Sequence, residues 1–483
     1  MNISLIHKLT ALKSLCLAAP LLLAAQSGEN LKADTANNRA GNAPAKLNVI
    51  LMVIDDLGAT DLGCTGSEFY QTPNIDQLAK QGLRFTHAYS ACTVCSPTRA
   101  ALLTGKYPAR LHITDWIPGE GRTDERLLSP DWTMHLPLEN RTLATAFREQ
   151  GYATASIGKW HLGKREYYPD RQGFDINIAG TDKGQPPSYF SPYGIPTLPD
   201  GPKGEFLTDR ESAEASKFIE KNRDHPFFLY LPHHAVHTPL MGKPGVIAKY
   251  RKRVRAEYPQ RNAVYAALIE SVDDSVGNLV GTLERLGLDK NTVVIFTSDN
   301  GGLLGSTYNL GMRAGKGSAF EGGVRVPFIV RWPGLTKPNT LSDQRIMSID
   351  LYRTLLHACN GSTKRGQQID GIDLLPSFAG GELPPRPLYW HYPHYHLGGA
   401  TPYSAIIDGD YRLVEFFEDK HAELYDLKSD PLESHDLAVE KPDVASRLRR
   451  KLVAWRRNVA AQLPVKNPDY VPGGSKTALV DLD

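Results

Sequence analysis

The chain has 483 residues, 41% of them hydrophobic and 22% charged, with a formal net charge of +2. This is the composition of an ordinary globular protein, long enough for two domains. With no long basic run the near-neutral balance argues against a dedicated nucleic-acid binder, and an anionic substrate would have to be recognised by local cations.

The N-terminus, "MNISLIHKLTALKSLCLAAPLLLAAQ", has a basic start (His7, Lys8, Lys13), an apolar stretch over residues 15–23 and small residues Ala24 and Ala25. This pattern predicts a secretory signal peptide, residues 1–25, since a membrane span needs about 20 apolar residues. An uncleaved anchor is the competing reading. Cys16 lacks the small residues that precede a lipidated cysteine, so export without stable membrane association is expected, to the periplasm or the medium. Residues 26–46 are polar and small, as in a flexible leader. Four cysteines remain after export, too few for a disulfide framework in so long a chain.

Four apolar, β-rich runs each end in a polar cluster. "LNVILMV" (47–53) meets Asp55 and Asp56; "YATASI" (152–157) meets Lys159, Trp160 and His161; "FFLYL" (227–231) leads to His233, His234 and His237; "TVVIF" (292–296) leads to Asp299 and Asn300. The runs are continuous rather than alternating, as in strands covered on both faces of a parallel sheet. Helical patterns lie between them, near residues 74–81, 143–150, 211–222 and 265–286. Strand and helix in alternation predict an α/β fold, a large mostly parallel sheet flanked by helices on both faces, over residues 47–360. Ligands bind beyond the carboxyl ends of such strands, so all four clusters are expected on one edge. Past residue 360 the texture changes. Residues 403–417 read as a hairpin turning at Asp408-Gly409-Asp410 and residues 444–459 as a basic amphipathic helix, giving a smaller α+β domain on a short antiparallel sheet, residues 361–483.

Between the first run and the second helix stands "ACTVCSPTRAALLTGKYPAR" (91–110). A C-x-x-C pair can be a redox centre or half a zinc site, but no second pair completes a four-cysteine site. A structural pair stays open for Cys92, yet it explains neither Pro97 nor Arg99. After Cys95 the sequence reads as a helix start: Pro97 in the first turn, "TRAALL" as helix former, Gly105 as the stop. Cys95 then lies at the positive end of a helix, with Arg99 one turn on and able to reach back towards it.

This stretch, with its C-x-P-x-R core, resembles the signature of the formylglycine-dependent type I sulfatases, in the alkaline phosphatase superfamily. The resemblance extends in order through "VIDDLG", "GKWHLG", "AVHTP", "SDNGG", "GKGSAFEGGVRVP" and "LYDLKSDPLE". It implies that a maturation enzyme converts Cys95 to formylglycine, whose hydrate carries two hydroxyls on one carbon. It also implies metal ligation by Asp55, Asp56, Asp299 and Asn300 together with the modified Cys95. Either acidic pair alone reads as a solvated loop; two pairs at two strand ends make an all-oxygen set that favours Ca2+, with Mg2+ second.

The same resemblance assigns the remaining roles. A hydroxyl at Cys95 attacks sulfur, with Arg99 beside it. Lys159 and Lys316 bind the sulfate, His237 protonates the leaving alcohol, and His161 takes the proton whose loss expels sulfate. Three histidines in "HHAVHTP" also raise a zinc reading, but no H-E-x-x-H accompanies them. His233 reads as structural and His234 as a substrate contact.

Two segments rich in aromatic and polar groups are expected to shape the substrate pocket, residues 113–128 with Trp116 and residues 389–399 with His394. They suit a sugar ring, so the expected substrate is a sulfated carbohydrate of galactan, carrageenan, ulvan or glycosaminoglycan type. The alternatives are a phosphoester or phosphonate hydrolase on the same scaffold and a sulfoglycan-binding protein without turnover.

Overall fold

The computed structural model describes residues 46–121 and 124–472. The expected signal peptide and all of the leader but Lys46 lie outside the described residues. In chain order the strands are β1 Asn48–Ile54, β2 Leu83–Tyr89, β3 Leu127–Leu128, β4 Ala153–Ile157, β5 Ile176–Ile178, β6 Phe227–His233, β7 Thr292–Ser298 and β8 Arg325–Arg331. They continue with β9 Thr340–Ser342, β10 Ile346–Met347, β11 Leu388–Tyr392, β12 Tyr403–Asp408, β13 Tyr411–Phe416, β14 Ala422–Asp426 and β15 Val465–Lys466.

The large sheet has the order β10-β2-β8-β7-β1-β6-β4-β5, with β9 paired to β2. The four apolar runs are its contiguous centre: β1 lies parallel to both β6 and β7, and β4 parallel to β6. Every residue of β1, β6 and β7 is buried, for a reason visible in β1 itself. Ile50, Met52 and Ile54 enter one apolar cluster and Val49, Leu51 and Val53 the other, so successive side chains meet a core on each face. The helices Pro73–Gln81, Leu207–Lys221 and Ala263–Arg285 cover the first face. Cys95–Thr104, Leu143–Glu149 and Asp350–Leu356 cover the second.

β2 and β8 are strands that the hydrophobic runs do not announce. β8 is antiparallel to both β2 and β7, which makes this half of the sheet mixed. It also carries Pro327, which cannot donate to a ladder. The pairing accommodates it: β2 shifts register between Phe85 and Ala88, and the last β7 partner is Phe328, so Pro327 falls where the ladders break.

The hairpin is observed as β12 and β13, with Asp408 opposite Tyr411, inside a four-stranded antiparallel sheet β11-β12-β13-β14. The basic helix runs over Pro442–Asn458 and buries Leu448, Leu452 and Trp455. Its apolar stripe joins a third cluster that also holds Cys92, Val94 and Ala101. The small sheet is thereby packed onto the start of the Cys95 helix.

Candidate active site

The carboxyl ends of β7, β1, β6 and β4 deliver Asp299 and Asn300, Asp55 and Asp56, the three histidines, and Lys159 with His161 to one edge of the sheet. Two backbone features bring the loops close enough. Gly158 has a φ of 119°, and a Cβ there would lie 2.1 Å from the Pro232 carbonyl oxygen, so only glycine lets the end of β4 press against β6. Asp56 and His161 hold φ values of 60° and 59°, a left-handed conformation uncommon for residues with a side chain and concentrated at functional positions.

Cys95 is the first residue of the helix Cys95–Thr104, all of it buried. Its Sγ lies 3.6 Å from Asp55 Oδ1 and 3.5 Å from Lys316 Nζ. The four described cysteines are free, and burial pushes the thiols of Cys64 and Cys92 up to about 12 and that of Cys359 to about 11. Thiols held so far from ionisation are poor redox or metal partners.

Arg99 is fully buried and commits its fork to the acid cluster rather than to Cys95. Nε and Nη2 donate to Asp299 Oδ2 at 2.9 and 2.6 Å, Nη1 donates to the Lys159 carbonyl at 3.1 Å, and Nη2 is 3.6 Å from Asp55 Oδ1. Lys159 Nζ donates to Asp55 Oδ2 at 2.6 Å, and Lys316 Nζ to Asp56 Oδ2 at 2.9 Å. Two fully buried cations, Arg99 and Lys159, and the partly exposed Lys316 thus face three buried carboxylates, the arrangement that makes burial of the charges tolerable. Burial pushes the Asp55 carboxyl well above the ordinary range against the pull of Lys159. Burial acts on Asp56 and Asp299 too, but the neighbouring cations, Lys316 for Asp56 and Arg99 for Asp299, outweigh it and hold both below that range.

The side chains form a candidate site for a divalent metal ion. One ligand atom from each of Asp55, Asp56, Cys95 and His237 lies within 4.8 Å of the others. Asn300 donates its amide to Asp56 Oδ1 at 2.8 Å, while its Oδ1 is buried with no hydrogen-bond partner, as for an oxygen that a cation would satisfy.

Two histidines differ in what their rings have free. His161 Nε2 donates to the Ile117 carbonyl at 2.6 Å, which leaves Nδ1, buried and unpartnered, as the lone-pair nitrogen. Burial, with Lys159 beside it, holds this imidazole well below its ordinary pKa, hence neutral. His237 Nδ1 donates to the Thr238 carbonyl at 2.9 Å, so its Nε2 faces Lys316 Nζ at 3.2 Å and Asp56 Oδ2 at 3.6 Å. The His237 and Lys316 side chains keep 14% and 10% exposure while those of Lys159 and Asp55 keep none, so the site opens on the His237 and Lys316 side.

His233 and His234 are not free ligands. Both Nδ1 atoms lie 2.6 Å from Glu211, one on each carboxylate oxygen, and His233 Nε2 meets Ser275 Oγ at 2.9 Å. Glu211 was not among the expected site residues. Its signal was a carboxylate on the buried stripe of the helix Leu207–Lys221, beside Leu207, Thr208, Ser212 and Ala215. Asp61 is a second such residue: fully buried, it accepts from Tyr265 OH at 2.7 Å, Gln260 Nε2 at 2.8 Å and Thr307 Oγ1 at 2.9 Å, and so anchors the loop after Asp56.

The two aromatic segments meet each other at the site. Tyr392 OH donates to Asp115 Oδ1 at 2.7 Å and His394 Nε2 lies 2.8 Å from Thr114 Oγ1. His394 is 2% exposed and edge-on to Trp132, so it holds the 113–121 loop from behind. That loop lies directly over the Cys95 helix, where Ile117 N–H donates to Ser96 Oγ at 3.1 Å. It also carries half-buried Trp116, which packs against the third apolar cluster.

A family model described as Sulfatase matches residues 47–362, and one described as N-sulphoglucosamine sulphohydrolase, C-terminal, matches residues 315–458. The chain is similar to a sulfatase of Formosa agariphila, 32% identical over 527 aligned positions that cover 91% of this chain and 94% of that one. It is similar to the N-acetylgalactosamine-6-sulfatase of Mus musculus, 34% identical over 383 positions, 73% of this chain and 70% of that one. Among solved structures, Ps i-CgsB in complex with k-i-k-neocarrahexaose superposes with a TM-score of 0.74 at 29% identity, covering 88% of this chain and 95% of that chain.

Proposed function

Since this chain belongs to the sulfatase family and is a sulfuric ester hydrolase, we propose that its substrates are sulfate esters of carbohydrates, of galactan, carrageenan, ulvan or glycosaminoglycan type. The observation that carries this reading is the placement of Cys95 Sγ between Asp55 and Lys316, at the start of a buried helix and beneath the Trp116 loop. The mouse N-acetylgalactosamine-6-sulfatase and the carrahexaose-bound relative support a sugar as the alcohol.

The family generally uses formylglycine and a divalent metal. Here Cys95 would carry the formylglycine, made by a maturation enzyme; its hydrate supplies one hydroxyl to attack sulfur and a second whose deprotonation releases sulfate. Asp55, Asp56, Asp299 and Asn300, with the modified Cys95, would hold the metal, Ca2+ by the hardness of the set, which supplies charge neutralisation and a lower hydroxyl pKa. Lys159 and Lys316 bind sulfate oxygens from the buried and the open side, and Arg99 fixes Asp299 and the Lys159 carbonyl. At the open side His237 Nε2, which faces the Lys316 ammonium at 3.2 Å, takes a proton from Lys316 and passes it to the leaving alcohol. On the buried side His161 Nδ1, the free lone pair of a neutral ring, takes the proton of the second hydroxyl. Trp116 offers the sugar a face, His394 serves by holding its loop, and His234, oriented by Glu211, lines the buried wall.

The residue pattern at the N-terminus supports export to the periplasm or the medium, and no helix among the described residues is long and apolar enough to cross a membrane. The texture change near residue 360 supports a catalytic part, residues 47–360, and a smaller part, residues 361–483.

The test is sulfate release by protein matured on Cys95, assayed on a panel of sulfated oligosaccharides alongside aryl phosphate and phosphonate esters. Release from one sugar class is expected. Faster phosphonate or phosphate cleavage, or tight glycan binding without release, would replace this reading. Chelation should lower the melting point and abolish turnover, and Ca2+ should restore both; a stabilisation of about 3 kcal/mol is expected when the ion is at a hundredfold excess over its Kd.

A further inference from the structure

Lys316 sits in the segment "GKGSAFEGG", residues 315–323, which has four glycines and few side chains with which to hold itself. Within the large domain it is anchored by backbone bonds, among them Lys316 N–H to the Gly302 carbonyl at 3.1 Å and Gly317 N–H to the Thr93 carbonyl at 2.9 Å, by Lys316 Nζ on Asp56, and at its far end by Arg325 Nη1, which donates to Glu321 Oε2 at 3.1 Å. Gly317 has a φ of 87°, a conformation that resists any side chain. Glycine-rich backbone of this kind is held in one conformation only when its surroundings fix it.

The surroundings that do so belong to the four-stranded sheet and the loop after it. Arg412, on β13, is completely buried; its Nη1 donates to the Ala319 carbonyl at 2.9 Å and to Glu433 Oε1 at 2.8 Å, and its Nη2 donates to Glu321 Oε1 at 2.6 Å. Glu433, also completely buried, accepts the Glu321 backbone N–H on Oε2 at 2.8 Å. Arg313, just before the segment, donates to the Glu433 carbonyl at 2.9 Å and to Tyr425 OH at 2.7 Å. Its guanidinium lies 3.7 Å from the Phe320 ring centroid. The side chains of Arg412 and Glu433 bond, in these contacts, to this segment and to each other. A buried ion pair adds little net stability over apolar packing, but breaking it displaces whatever it holds.

We propose that Arg412 and Glu433 are positioning residues for catalysis: together they clamp residues 319–321 and so aim Lys316 at the sulfate site. The small sheet is then part of the catalytic machinery, acting from outside the pocket. This rests on the reading of Lys316 as a sulfate ligand.

The experiment is a double-mutant cycle on matured, metal-loaded protein, with kcat and KM measured on a small aryl sulfate and melting points recorded in parallel. Glu433→Gln and Arg412→Lys are made in the wild-type and in the Lys316→Ala background, whose residual turnover is read at high enzyme concentration. Arg313→Met is included because this residue is about one-third exposed, so the variant folds even where the buried ones do not. In the wild-type background kcat/KM should fall by about 10- to 100-fold for Glu433→Gln, the scale of a misplacement near 1 Å, and by less for Arg313→Met. In the Lys316→Ala background both losses should shrink to less than about twofold, because the group being aimed is gone. Equal losses in the two backgrounds, or full activity of folded Glu433→Gln, overturn the inference. A Lys316→Ala variant as active as wild type would instead overturn the assigned role of Lys316.

Discussion

The pocket has two sides that reach it by different routes. On the buried side Asp55, Asp56, Lys159, Asp299 and Asn300 follow directly from the ends of strands in one sheet, each within two residues of its strand's last residue. On the open side the 113–121 loop and the Lys316 segment are irregular backbone, fixed by bonds to residues far along the chain: Asp115 to Tyr392, Thr114 to His394, Ala319 to Arg412. Strand ends inherit their geometry from the sheet ladder, whereas loops need partners, and the partners here are buried polar groups. The difference teaches that the chemistry and its aperture are separable, and that substitutions on the two sides should fail differently.

The largest effect belongs to the buried side. Cys95→Ala removes the group to be modified, and turnover on any sulfate ester is expected to drop by at least about four orders of magnitude with the melting point nearly unchanged, because a small buried side chain is exchanged for one slightly smaller. Residual turnover above a hundredth of wild type would break the comparison at its root.

Next comes Arg99→Met. It leaves Asp299 and Asp55 without their buried guanidinium, so unfolding free energy in denaturant should fall by about 3–5 kcal/mol. Loss of activity without loss of stability would mean that Arg99 serves the reaction and not the acid cluster.

The open side should respond to pH. Burial pushes His391 down to about 4 and His394 to about 3, so the folded protein keeps both rings neutral while the unfolded chain protonates them below about 6.5. Their contribution to stability is therefore complete above pH 6.5 and is lost as pH falls towards the folded values, about 2 kcal/mol for each ring by pH 5. Asp115 next door, pushed up to about 8 by burial, works in the opposite direction. The clean measurement is a difference: between pH 7 and 5 wild type should lose about 2 kcal/mol relative to His394→Gln. A difference that does not change with pH would show that the ring is protonated in the folded state.

The smallest effect sharpens the contrast most. Tyr392→Phe removes one hydrogen bond that ties Asp115 to the small sheet and should cost about 1 kcal/mol of stability. Hydrolysis of the sugar substrate should weaken while that of a small aryl sulfate holds. Equal weakening on both would mean that this loop serves the chemistry and not the aperture.

Much of the buried side was legible. Continuous apolar runs reported strands covered on both faces, and the polar cluster after each run reported the site edge. β2 and β8 were not legible, because β2 is a partly buried strand with a register shift and the apolar run of β8 is interrupted by a proline. Glu211, Asp61, Arg412 and Glu433 were also hidden: a charged residue in a helix, hairpin or loop reads as solvated until the fold removes its water. The aim of Arg99 was hidden for a related reason, since its partner Asp299 is 200 residues away.

By itself the sequence determined the α/β class, the position of Cys95 at a helix start, the acidic pairs and the order of the clusters, because these depend on local periodicity and on residues adjacent to strand ends. Only the tertiary structure decided which ring nitrogens of His161 and His237 are free, which side of the site is open, and that buried charges from a separate small sheet hold the Lys316 segment. Those facts depend on which groups lose water together, and that is settled only when segments hundreds of residues apart pack against one another.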